Sequence, residues 1–235
     1  MRLICKVCGA RIGVYTDPNF CGPCYSRLTG VTPATLKKLT SVPGAYRSLV
    51  ERDVLYEVPE CGDFGFLSEA DVLTIRENYY DLIKDNTHLQ PFAKAWDGAL
   101  WCWTSFRCGS SAEPEILNID LYETVIVYAP TFETFLYRTA LEDAYGRWLV
   151  QPERLGQKIQ AMAKVLRGVH AAELADDLDH LVSQPIADYT PRSMATGTDR
   201  WFGFLSQSDA DRRIETFLGS AYLNQILEPS ALKMA

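Results

Sequence analysis

The chain has 235 residues, of which 47% are hydrophobic and 11% aromatic, so it can form a substantial core in one or two domains. Its formal net charge is −7, and no apolar run reaches the roughly 18 residues that a membrane-spanning helix needs. The first residues contain no apolar stretch of signal-peptide length, so the sequence predicts a cytoplasmic protein without a membrane partner.

The charge is distributed unevenly along the chain. Residues 1–30 carry four basic side chains and one acidic one, whereas residues 31–150 carry 10 basic and 18 acidic side chains. Because contacts with phosphate require Lys and Arg, the acidic middle argues against a nucleic-acid partner on that surface. It favours association with a basic protein. The alternative is that the charge only keeps the protein soluble.

Four cysteines near the start of the chain have the spacing of a metal site. Cys5 and Cys8 form one pair, Cys21 and Cys24 form a second, and 12 residues separate the pairs. Together they supply the four thiolates of a structural zinc ion, which leaves no open coordination position for catalysis. The spacing is slightly shorter than usual for paired zinc knuckles. Disulfides or redox CxxC motifs are the alternative interpretations.

The next part of the chain has signals for short helices. Thr32-Pro33 predicts a helix start, with the threonine as N-cap and the proline at the first helical position. Residues 43–50 predict a second short helix and residues 55–58 a short strand. Ser68 predicts the N-cap of an amphipathic helix over residues 69–84.

Strand signals dominate after this helix and end at another helix over residues 132–141. Strands are predicted over residues 91–96, 100–106, 116–119 and 124–128. The order of helices, then meandering strands, then a closing helix predicts an α+β fold with an antiparallel sheet flanked by helices.

Helical periodicity returns from Pro152 onward. Gly168 predicts the end of the first C-terminal helix, and Ser208 predicts the cap of the last one. The sequence therefore predicts a small zinc-ribbon-like module over residues 1–30, an α+β domain over residues 31–148 and a helical C-terminal extension over residues 149–235.

The middle region, over about residues 32–145, resembles the SMI1/KNR4 superfamily, also called SUKH. Residues 42–50 are similar to the proline, tyrosine and hydrophobic helix near its start, and residues 91–103 to its central strand pair. Residues 125–136 are similar to its last strand and closing helix. The Asp97-Gly98 turn reverses the usual Gly-Asp order of the family, and the zinc module and C-terminal helices lie outside the common domain.

The resemblance implies a protein that acts by binding. Many bacterial members of this superfamily are immunity proteins that bind and neutralise a secreted toxin, and eukaryotic members are regulatory scaffolds. It implies here a non-enzymatic immunity-type protein that occludes a cognate protein toxin, for which the acidic middle suits a basic partner. The alternative is a zinc-ribbon nucleic-acid-associated or regulatory scaffold protein, because the zinc module has a net charge of +3.

Candidate partner-binding residues are aromatic anchors and an acidic rim. The aromatic candidates come from the predicted strands and include Trp96, Trp101, Trp103 and Tyr128. The acidic candidates lie on or beside predicted turns and are Asp97, Glu113, Glu115, Asp120 and Glu123. The alternatives are core packing for the aromatic residues and a solvated surface for the acids.

The sequence contains no recognisable catalytic motif. It has three histidines and lacks a phosphate loop, a nucleophile elbow and an HExxH motif. We therefore predict a protein that is not an enzyme and has no catalytic residues, with zinc in a purely structural role.

Removal of zinc by a chelator should unfold residues 1–30 and leave residues 32–145 folded, because a segment of about 30 residues buries too little apolar surface to fold without the metal. Amide hydrogen exchange read by mass spectrometry, with and without chelator, measures the two regions separately. Loss of protection over the whole chain would contradict this division.

Overall fold

The structure is a computed structural model. It describes residues 6, 28–59, 61, 64–78, 81–95, 97–105, 113–145, 147–148, 152–189, 201–223 and 225–228. The predicted zinc ligands Cys5, Cys8, Cys21 and Cys24 lie outside the described residues, as does the rest of the predicted module apart from residues 6 and 28–30. In the described part, no helix is both long and apolar enough to span a membrane.

The described chain folds as helices and strands of the α+β class, as predicted. The helices are α1 (Pro33–Leu36), α2 (Gly44–Glu51), α3 (Glu69–Asn78), α4 (Asp81–Asp85), α5 (Phe132–Ala144), α6 (Pro152–Gly168), α7 (Ala172–Val182) and α8 (Gln207–Leu218), with 3-10 turns at Leu55–Glu57 and Ser220–Tyr222. The strands are β1 (Phe64–Phe66), β2 (Leu89–Ala95), β3 (Leu100–Thr104), β4 (Glu115–Ile119), β5 (Val125–Ala129), β6 (Arg147–Trp148), β7 (Ala187–Asp188), β8 (Trp201–Gly203) and β9 (Ile226–Leu227).

One six-stranded antiparallel sheet has the strand order β1-β2-β3-β4-β5-β9. The meander from β2 to β5 confirms the predicted antiparallel sheet. Leu100 at the start of β3 pairs with Ile119 at the end of β4. The β2–β3 turn and the β4–β5 turn therefore lie at the same end of the sheet, whereas the β3–β4 connection lies at the opposite end.

The C-terminal extension contributes to this sheet. Val125 and Ile126 of β5 pair with Leu227 and Ile226 of β9, so a strand from the C-terminal extension covers the edge of β5. A second small sheet has the order β6-β8-β7 and also uses strands from this part of the chain. The division into domains 31–148 and 149–235 stays a prediction, but the large sheet contains strands from both segments.

Helix α5 lies at the centre of the protein. Thr131 caps its N-terminus: its side-chain oxygen accepts from the backbone N–H of Thr134, and the Thr134 hydroxyl accepts from the N–H of Thr131. The helix contacts β4 and β5 on one side and α6, α7 and α8 on the other. Residues 135–141 are consequently all buried, although a surface helix would bury only one stripe.

Aromatic rings fill the space between the sheet and the helices. Tyr46 of α2 is fully buried, and its ring contacts Phe92, Trp103 and Phe132 with centroid distances of 6.1, 5.0 and 5.3 Å. Edge-to-face and tilted contacts of this kind add to the free energy gained from burial. Burial raises the pKa of Tyr46 well above its usual value, so the phenol stays neutral.

A buried arginine joins the C-terminal turn to the sheet. Arg138 of α5 is only 8% exposed, and its guanidinium lies 4.0 Å from the ring centroid of Tyr128. It donates to the Tyr128 carbonyl, to the Tyr222 carbonyl and to the Glu142 carboxylate. The Tyr128 hydroxyl also donates to Glu142 at 2.6 Å. The guanidinium charge is therefore balanced by one carboxylate and two carbonyl oxygens.

Two local predictions differ from the structure. Residues 55–57 form a 3-10 turn rather than a strand, which lets the Tyr56 hydroxyl reach the backbone of Val31 and Leu67. The helix predicted over residues 69–84 is helical at residues 69–78 and 81–85, and residues 79–80 lie outside the described residues. The cap of α8 is Ser206 rather than Ser208, because Ser206 accepts from the N–H of Asp209.

Substitution of Arg138 by Met should lower the free energy of unfolding by about 3 kcal/mol, because it leaves two carbonyls without this donor and the Glu142 carboxylate without its cationic partner. Urea denaturation of the full chain measures the change. The control Arg47→Met alters an exposed arginine of α2 and should shift stability by less than about 0.5 kcal/mol. The double variant Arg138→Met/Glu142→Gln should recover part of the loss. Equal effects of Arg138→Met and the control would refute this account.

Candidate functional site

The structure places the described tryptophan candidates in the core. Trp103 is fully buried, Trp101 is 6% exposed and Tyr128 is 5% exposed. Trp103 stacks on Phe92 and donates from its indole N–H to the Thr40 carbonyl. These three rings hold the sheet against the helices and do not form an exposed anchor. Trp96 lies outside the described residues.

Two of the acidic candidates hold parts of the fold together at the β3–β4 end of the sheet. Glu113 accepts from the backbone N–H of Gly44 at 3.1 Å, at the start of α2. Glu115 accepts from the Tyr222 hydroxyl at 2.9 Å. The Glu115 contact positions the C-terminal 3-10 turn, so this carboxylate acts within the fold rather than as a freely solvated rim charge.

The other three acidic candidates lie together at the opposite end of the sheet. Asp97 is on the β2–β3 turn, and Asp120 and Glu123 are on the β4–β5 turn. Both aspartates shape their own turns: Asp97 accepts from the N–H of Ala99 at 3.0 Å, and Asp120 accepts from the N–H groups of Tyr122 and Thr124, both at 2.8 Å. The backbone of both turns is therefore held in place by side-chain hydrogen bonds.

The two turns also contact each other through Leu121 and Gly98. A Cβ atom at Gly98 would lie 2.8 Å from the Cδ2 atom of Leu121, so the leucine side chain lies directly over the glycine. Gly98 has φ +99°, in the left-handed region that favours glycine. This packing joins the two turns into one surface.

Glu123 connects the same surface to a helix. Its carboxylate accepts from the backbone N–H of Leu82 at 3.3 Å, in the first turn of α4. Glu123 itself has φ +60°, an uncommon backbone conformation for a residue other than glycine. This hydrogen bond joins the β4–β5 turn to α4.

The hairpin edge, defined here as residues 81–85, 97–99 and 120–124, presents apolar side chains surrounded by acids. Tyr122 is 90% exposed and Leu121 is 55% exposed, at the tip of the β4–β5 turn. The three segments contain five carboxylates and one lysine. The sequence analysis did not single out Leu121 or Tyr122; two large apolar residues in the middle of a predicted turn were the available signal.

The structure does not test the zinc site, because its predicted ligands are outside the described residues. Within the described ranges, no group of three or more His, Cys, Asp or Glu side chains is placed to hold a metal ion. Comparisons of the chain with protein-family models, with curated proteins and with solved structures find no match. The SUKH resemblance therefore stays a proposal based on the residues that carry it.

Gly98→Ala should lower the free energy of unfolding by about 1–3 kcal/mol, since alanine is strained at positive φ. The added methyl group should also displace Leu121 from the β2–β3 turn. Thermal denaturation measures the stability, and NMR chemical shifts of residues 120–124 report the displacement. The matched control is Gly65→Ala in β1, where a Cβ atom would meet nothing within 4 Å. Equal stability changes in the two variants would be inconsistent with this role for Gly98.

Proposed function

We propose that the chain is a non-enzymatic, bacterial immunity-type protein that binds a cognate secreted protein toxin through the hairpin edge and neutralises it by occlusion. The observation that carries the proposal is Tyr122, a tyrosine that is 90% exposed on a turn whose backbone is held by hydrogen bonds. The SUKH resemblance of residues 32–145 supplies the class of partner.

An exposed aromatic side chain on an ordered turn favours binding for an energetic reason. Association orders side chains and loops at a cost in conformational entropy, and that cost is smaller when the loop is already ordered. The N–H of Tyr122 is bonded to Asp120, and the neighbouring Leu121 packs on Gly98. Tyrosine is also among the residues that dominate the binding energy of protein interfaces, where its ring fills a pocket on the partner.

The acids around Tyr122 indicate a basic partner. Asp97 is exposed, and the carboxylates of Asp120 and Glu123 lie in the same turn as the tyrosine. An excess of negative charge at the rim of an interface accelerates association with a positively charged surface, and salt weakens this effect. A toxin that acts on nucleic acid carries such a surface, because its own substrate is a polyanion.

Tyr122→Ala should weaken toxin binding by about 2 kcal/mol, or roughly 30-fold in Kd, because it removes the central aromatic anchor. Stability should change by less than about 0.5 kcal/mol, since the side chain is exposed. The full-length protein carrying an affinity tag would capture the toxin from the native host. Calorimetry with the purified pair then measures Kd. Co-expression with the toxin tests protection of the cells.

The control variant is Leu73→Ala, which alters an exposed leucine of α3 and should leave Kd unchanged. Charge reversal at Asp97 by lysine should slow association at low salt and have less effect at high salt.

Failure to capture any toxin, together with no protection on co-expression, would overturn the proposed function. Wild-type affinity of the Tyr122→Ala variant would instead reject the hairpin edge as the interface. A salt-dependent shift of labelled DNA or RNA would favour the zinc-ribbon nucleic-acid alternative.

A further inference from the structure

A cavity of about 570 Å³ lies between α7 and α8, in the C-terminal part of the chain and away from the residues of the hairpin edge. Cavities of about 300–1,000 Å³ are typical of small-molecule sites in proteins. The cavity is lined by described residues of α7, α8 and the segment that joins β8 to α8. Nothing in the proposed toxin binding uses this cavity.

One wall of the cavity is apolar. It is formed by Leu181 of α7, by Phe204 and Leu205 after β8, and by Phe217 of α8. Leu181, Phe204 and Leu205 are buried. The backbone N–H of Phe204 donates to the Ala144 carbonyl at 2.8 Å, so the end of α5 holds this wall in place. Phe217 is the partly exposed residue among these four, so its ring is the main apolar surface that the cavity offers to a ligand.

The other walls carry two carboxylates whose oxygens are all occupied. Asp177 accepts from the Tyr137 hydroxyl at 2.7 Å on one oxygen and from Arg213 on the other. Asp209 accepts from the Ser206 hydroxyl at 2.6 Å and from Arg212 at 3.2 Å on its two oxygens. The hydrogen bond from Ser206 lowers the pKa of Asp209, and the acid stays ionised. Neither carboxylate has an oxygen without a donor.

In contrast, some side-chain N–H donors on the cavity lining have no acceptor among the described residues. Arg212 uses only its Nη1 group in the bond to Asp209, and among the described residues no hydrogen bond occupies its Nε and Nη2 groups. The side chain is 73% exposed, so it can turn towards the cavity. Gln184 and His180 are exposed on the same lining. Their Nε2 atoms lie 3.5 Å apart in a mutual hydrogen bond, and the Gln184 amide has a second N–H group. The side chains that line the cavity therefore have N–H donors available for a ligand. The oxygens of the two lining carboxylates are already occupied.

We propose that this cavity binds a small organic anion: an aromatic or aliphatic body packed on Phe217, with a carboxylate or similar head group bound by Arg212. A planar guanidinium donates two parallel hydrogen bonds to such a head group. The inference is independent of toxin binding, since it uses other residues and another class of ligand.

Two fluorescent probes of similar size test the inference on the full chain. The anion 8-anilinonaphthalene-1-sulfonate carries a sulfonate, whereas N-phenyl-1-naphthylamine has a similar aromatic body and no charge. Both should bind wild-type protein at one saturable site. Arg212→Gln should weaken binding of the anion about tenfold and leave binding of the neutral probe unchanged. The control Arg47→Gln, at an exposed arginine of α2, should change neither.

A second variant tests the location. Thr216 lines the cavity from an exposed position on α8, so Thr216→Trp should obstruct it and reduce binding of both probes at least tenfold. Circular dichroism melting of each variant verifies that the fold is kept. Non-saturable probe binding, equal anion affinity in Arg212→Gln and wild type, or normal binding of both probes to folded Thr216→Trp would overturn the proposal.

Discussion

The packing of α5 and the C-terminal turn against the large sheet depends on the hydrogen bonds of the buried Arg138 guanidinium. The guanidinium lies on α5, whose residues 135–141 are all buried, and bonds both to the sheet, at Tyr128, and to the C-terminal turn, at Tyr222. A buried cation is tolerated only when its charge and its N–H groups are satisfied. The carbonyl of Tyr222 is one of its acceptors, so the C-terminal segment must dock for α5 to lie against the sheet in a satisfied state. The same docking brings β9 beside β5.

The two ends of the large sheet are organised differently, and the proposed function is assigned to the end that carries the hairpin edge. At the β3–β4 end, Glu113 and Glu115 bond to α2 and to Tyr222, so their charges act within the fold. At the other end, Asp97 and Asp120 bond to their own turns and Glu123 bonds to α4, while a tyrosine and a leucine are exposed to solvent. Acids at both ends therefore hold parts of the fold in place, and those at the second end also lie beside an exposed apolar surface.

Much of the fold was predictable because local signals were strong. The four strands of the meander alternate with turn residues, and Thr32 is an N-cap with a sequence signature that the structure reproduces. Strands β1 and β9 were missed since each is only two or three residues long and is stabilised by pairing rather than by its own sequence. The acidic residues of the candidate site were predictable because they lie on or beside turns that the sequence signals. The exposure of Tyr122 and the burial of Trp101 depend on tertiary packing, which local sequence does not encode.

The pairing of Arg138 with Tyr222 also has a consequence for biosynthesis. The two residues are separated by 84 positions, so at roughly 5–20 residues per second the ribosome needs about 4–17 seconds to add the acceptor after the arginine. During that interval the nascent chain contains the whole meander, while β5 is an open edge and a cation lacks one of its acceptors. Open edges are sites of intermolecular strand pairing. The β5 edge therefore gains its neighbour in the sheet only after β9 has been synthesised.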